Sequence, residues 1–165
     1  MADGLDGKIE GLEALQSKLK TLSDDMQLKG GRFALRKAAQ VLRDRARKNA
    51  ANVDNPATTE NIEKNIVERW NGRVFRQSGD IGFRVGVLGG AKGYAAAPGE
   101  VKGAGSGNPG GDTYYWRFLE FGTAKMAAQP FMRPAADQAS GEAVDEFVRQ
   151  YDKAADRALQ RARKK

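Results

Sequence analysis

Tyr114-Tyr115-Trp116-Arg117-Phe118-Leu119-Glu120-Phe121-Gly122-Thr123, followed shortly by Gln129-Pro130-Phe131-Met132-Arg133-Pro134-Ala135, carries the densest signal in this chain. Six of the thirteen aromatic residues lie between positions 114 and 131, and such a run ending in Gly-Thr predicts a strand over 114–121. Alternation would put Tyr114, Trp116, Phe118 and Glu120 on one face and Tyr115, Arg117, Leu119 and Phe121 on the other. Both faces are largely apolar. Helices can cover only one of them, so a second layer or a partner subunit should cover the other. Pro134 suits the first turn of a closing helix that should run to about residue 161, with Val144, Phe147, Val148, Tyr151, Ala155, Ala158 and Leu159 as its apolar stripe. Its basic end, Arg157, Arg161, Arg163, Lys164 and Lys165, complements the helix dipole.

Working back from this segment, residues 89–111 hold nine glycines and two prolines, too little apolar surface to offset the entropy of ordering. They predict a mobile loop, either a tolerated insertion or an arm that orders during assembly with Tyr94 and Val101 as anchors. Upstream, Ile81, Phe83, Val85 and Val87 alternate with Gly82, Arg84, Gly86 and Leu88 as a half-buried strand does. Residues 66–70 and 73–77 flank Asn71-Gly72, a dipeptide suited to a tight hairpin, which completes an antiparallel meander. Thr58 or Thr59 can cap a short helix through residues 61–64.

Two helices open the chain. Ile9, Leu12, Leu15, Leu19 and Leu22 recur at helical spacing over 8–22, and Ser23-Asp24-Asp25 can cap a second helix over 26–50 with Leu28, Leu35, Ala38, Leu42 and Ala46 on its apolar side. Lys29, Arg32, Arg36, Arg43 and Arg47 fall within about 60° beside that side, a basic ridge. The ridge is either a solvated face or a surface for DNA or an acidic neighbour.

At 165 residues the chain suits one domain that buries roughly 70% of its unfolded surface. The expected fold is α+β: an antiparallel sheet of about four strands packed against a long N-terminal helix and a long C-terminal helix. Within the single domain 1–165, an N-terminal helix (1–25) precedes a basic helix with the first strands (26–88), a glycine-rich loop (89–112), and the aromatic strand with the closing helix (113–165). Cysteine and histidine are both absent, which removes disulfides, thiol and imidazole catalysis and nearly every zinc site. No glycine cluster ends in the Lys-Ser or Lys-Thr of a phosphate loop, and no carboxylate cluster suits a metal-dependent nuclease. No catalytic residue, cofactor or metal is expected, and Glu120 should pair with Arg117, Arg133 or a neighbour's basic residue. A net charge of +7 favours an anionic partner, DNA or an acidic protein surface. Neither a membrane span nor a secretory leader is read, so a protein made and kept in a cytoplasm is expected.

The strand end Glu120-Phe121-Gly122-Thr123 with Pro130-Phe131-Met132-Arg133-Pro134-Ala135 resembles the signature of the tail-completion, or head-to-tail joining, proteins of long-tailed bacteriophages. The order of elements matches as well. Thr58-Thr59-Glu60-Asn61-Ile62 stands where that family usually shows Thr-Gly-x-Leu, and Gln129 where it shows Arg. The resemblance implies a structural protein of the virion neck, a sixfold homo-oligomeric ring that meets other neck and tail proteins and surrounds the path of DNA. A closed ring needs two different patches on each subunit. Tyr114, Trp116, Phe118, Glu120, Phe121, Phe131 and Arg133 are expected to form one, and the basic ridge or the loop the other or the lumen. Close rivals are a tail terminator or head-closure ring and a small basic DNA-binding protein, although no DNA-binding motif is recognisable.

Overall fold

The computed structural model describes residues 26–54, 60–88, 108–111 and 113–163. The helix expected over 8–22 and the loop anchors Tyr94 and Val101 lie outside the described residues. A π-helical turn, Met26–Gly30, runs into the long helix α1, Gly31–Val53. One helical turn, α2 (Ile62–Asn65), leads directly into β1 (Ile66–Trp70). The short helix α3 (Gly72–Ser78) connects β1 to β2 (Phe83–Val87). The chain returns through α4 (Trp116–Phe121) and closes with α5 (Met132–Arg163).

Small residues set the packing of the two long helices. Gly31, Ala34, Ala38, Ala39, Ala46 and Ala50 are buried on α1, and Ala135, Ala139 and Ala143 on α5. The helices run antiparallel: a Cβ on Gly30 would lie 3.2 Å from that of Ala154, whereas Asn49 near the other end of α1 donates to the Phe131 carbonyl at 3.3 Å. Close approach leaves no room for a larger side chain at Gly30, while the Tyr151 ring of α5 comes within 3.8 Å of where a Cβ on Gly31 would stand. Val144 and Val148, expected in the buried stripe of α5, are 61% and 50% exposed instead.

β1 and β2 pair antiparallel from Ile66↔Val87 through Glu68↔Val85 to Trp70↔Phe83. The face with Ile66, Glu68, Trp70, Val85 and Val87 turns towards α1 and the core. That core centres on Ile62, Ile66 and Phe131, each fully buried, with Ala46, Ala50 and Ala135 around them. Val67, Arg69, Arg84 and Gly86 occupy the opposite face.

The α+β class is as the sequence predicts, but two strands stand where about four were expected among the described residues. Residues 73–77 are helical because Asn71 caps them, its side chain accepting from the Val74 amide at 3.5 Å, and Gly79 ends them with φ at 78°. Phe75 then packs against Trp70, which also meets Phe83, each with ring centroids 5.4 Å apart. Residues 116–121 are likewise helical, not a strand. Helical spacing puts Trp116, Leu119 and Glu120 inward and leaves Arg117 and Phe121 outside.

Candidate functional site

Glu120 is the centre of the signature segment. It is a fully buried side chain at the last turn of α4, and its carboxylate accepts from the amides of Phe131 (2.8 Å), Met132 (2.9 Å) and Arg133 (3.0 Å). These amides belong to the start of α5, where backbone donors lack helical partners and the dipole favours negative charge. Pro134 follows with no amide to satisfy. The Arg133 side chain returns to Glu120, donating to its carboxylate at 3.3 Å and to its backbone carbonyl at 2.8 Å. Burial alone would raise the Glu120 carboxyl, but the three amides and Arg133 outweigh it and hold it below the usual carboxylate range.

The turn between the two halves is equally constrained. Gly122 has φ at 75°, and a Cβ there would lie 2.9 Å from the Ala128 nitrogen. Thr123 and Met126 form an isolated bridge, and the Gln129 amide donates to the Leu119 carbonyl at 2.8 Å. The expected patch therefore divides. Glu120 and Phe131 are buried; Trp116 is half-buried against the core with Arg117 over its ring; Tyr114 and Phe118 are half-buried. Phe131 is thus a core residue rather than a surface hook. Phe121, 65% exposed with the Arg133 guanidinium 5.3 Å from its ring centre, and Met126, 38% exposed, remain outside.

The basic ridge folds back on the sheet. Arg43 donates to Glu68 at 2.6 Å, Gln40 at 3.1 Å and Arg36 at 3.5 Å, while Arg47 donates twice to the Ile66 carbonyl at 2.8 and 3.0 Å. Arg32 lies over the Trp70 ring at 4.3 Å, and Lys29 is exposed. Against the burial that would raise it, hydrogen bonds from Gln40 and Arg43 bring the Glu68 carboxyl down to about 2. Four of the five ridge side chains are thereby committed to β1. Glu68 escaped the sequence reading, although it alternates with Ile66 and Trp70 on the inward face of a strand, where a carboxylate needs a cation.

Asn65 was also missed. Fully buried, it donates to the Gly111 carbonyl and the Thr113 hydroxyl and accepts from the Gly110 amide, each at 2.8 Å. A Cβ on Gly110 would stand 1.9 Å from the Asn61 oxygen, so that contact requires glycine. Asn65 thus ties residues 110–113 to the start of β1.

A buried carboxylate capping the closing helix and arginines held against the sheet define a scaffold that holds an exposed surface in place. Residues 13–122 match the family described as "Bacteriophage HK97-gp10, putative tail-component", and over two thirds of its length the chain belongs to that family. The match ends at Gly122, so Phe131, Arg133 and Pro134 lie beyond it. No curated protein and no solved structure matches the chain. Family membership makes it a structural protein of the bacteriophage virion that works among other tail proteins. No described helix is long and apolar enough to cross a membrane.

Proposed function

We propose that this protein completes the tail or joins it to the head at the virion neck, as one subunit of an oligomeric ring assembled in the host cytoplasm. It acts by assembly and without turnover, using no cofactor. The observation that carries the reading is the Phe121 surface. Phe121 is 65% exposed near the exposed Met126, and the Arg133 guanidinium, itself held by the buried Glu120, lies over its ring, an aromatic and arginine pairing of the kind enriched at binding surfaces. Such a partly apolar knob suits contact with a neighbouring tail or neck component.

Infecting cells with the encoding phage carrying Phe121→Ala tests this. The variant should leave a folded, soluble protein and a normal yield of heads and tails, but few joined particles in electron micrographs. A normal yield of infectious, fully joined virions would refute the role of this surface. A tail terminator would instead leave tails of uncontrolled length, which the same micrographs distinguish.

A further inference from the structure

α1 covers one face of the two-stranded sheet; no described residue packs over the other. On that face Arg69 and Arg84 stand directly opposite each other across the strands, both exposed and neither with an ion-pair partner among the described residues. Like charges in this position destabilise a sheet. They border a hollow of about 410 Å³ lined also by Val67, Gly86 and Leu88, and a Cβ added to Gly86 would meet nothing within 4 Å. Among the described residues this two-stranded sheet therefore has no second layer of the kind sheets ordinarily acquire.

α5 offers the complementary chemistry elsewhere on the same chain. At 100° per residue, Asp145, Val148, Asp152, Asp156 and Leu159 fall on one side of the helix. Val148 and Leu159 are 50% and 49% exposed. Asp152 and Asp156 are exposed and have no ion-pair partner among the described residues. One helical turn separates these two carboxylates by about 5–6 Å at Cβ, close to the roughly 5 Å between cross-strand neighbours such as Arg69 and Arg84. Val148 and Leu159 lie about one turn before and one turn after the acidic pair along the helix, while Val67, Gly86 and Leu88 lie to one side of the arginine pair along the strands.

We infer that the acidic stripe of α5 in one copy docks on the Arg69–Arg84 sheet face of the next copy. Asp152 and Asp156 meet the two arginines, and the exposed Val148 and Leu159 lose solvent at either end of the contact. The contact joins two different surfaces, so it propagates from subunit to subunit and closes where the rotation allows. It supplies the missing layer of the sheet in trans and relieves the arginine pair. The inference rests on the oligomeric reading above and assigns its subunit contact.

Charge reversal tests it, with the mass of the full chain followed by light scattering against concentration and salt. Arg69→Glu/Arg84→Glu and Asp152→Lys/Asp156→Lys should each stay folded by circular dichroism and each weaken self-association roughly tenfold or more. Mixing the two variants, or combining all four substitutions in one chain, should restore it. Wild-type assembly that ignores both reversals overturns this contact and leaves the ring reading standing; a wild-type chain that stays monomeric throughout overturns both. Loss of duplex DNA binding in Arg69→Glu/Arg84→Glu with association unchanged would reassign the face to nucleic acid and overturn the inference.

Discussion

Glu120 and Phe131 lie eleven positions apart and act as one unit, because the carboxylate takes the amide of the residue whose ring fills the core. Phe131→Ala should therefore destabilise the monomer by about 3–5 kcal/mol, the range for truncating a buried phenylalanine; urea unfolding would show it, and an unchanged midpoint would put the ring outside the core. Glu120→Gln keeps one acceptor oxygen but removes the charge and one lone-pair pair, which should cost roughly 1–3 kcal/mol. Acid should reveal the same carboxylates. Glu68 and Glu120 both titrate below their ordinary value of 4.5 in the folded chain, Glu68 at about 2. The unfolded chain thus binds more protons through this window, so their contribution is complete above about pH 4.5 and is lost as pH falls towards 2. Urea midpoints measured across this range should rise with pH in the wild type and rise less steeply in Glu68→Gln. Parallel slopes would mean that Glu68 is not held in its charged form by the fold.

Single elements show why some of the fold could be read from the chain and some could not. β2 was legible because alternation reports on a half-buried strand, β1 only as one arm of an expected hairpin, and the long helices because apolar residues recur at helical spacing, although α5 buries Ala135, Ala139 and Ala143 and leaves Val144, Val148 and Leu159 exposed. Residues 73–77 were misread because Asn71-Gly72 suits a hairpin turn and an N-cap alike; only packing of Phe75 on Trp70 selects the helix. At 116–121 aromatic content suggested a strand, yet a buried Glu120 that must reach the start of α5 fits the inward side of a helix. The signature segment was visible as a motif, but the division between its buried and exposed residues depends on a contact between separate stretches of chain. Across the sheet, the Arg69–Arg84 pair makes an element-scale prediction. Arg69→Glu alone places opposite charges across the strands and should stabilise the isolated chain by about 0.2–1 kcal/mol. A lowered melting temperature would show that Arg69 has a stabilising role within the monomer.

For the whole molecule, the excess of 28 basic over 21 acidic residues leaves open whether the positive charge serves DNA or the fold. Arg36 and Arg43 answer Glu68, Arg47 answers a backbone carbonyl, and Arg32 covers Trp70, so the helix that looked most like a DNA ridge spends most of its cations on β1. On the proposed reading as a ring subunit this arrangement would also help, since each free phosphate contact would add affinity and resist passage of DNA. The two uses make opposite predictions for Arg43, whose side chain is 19% exposed. If it serves the fold, Arg43→Gln leaves Glu68 short of its cation and costs about 1–3 kcal/mol in urea unfolding, while affinity for a short duplex is unchanged at every salt concentration. If it serves DNA, the variant remains as stable as the wild type, and the slope of log affinity against log salt falls by about one. The structure favours the first outcome. Measuring both quantities on the same variant separates a charge that builds the scaffold from one that grips the genome.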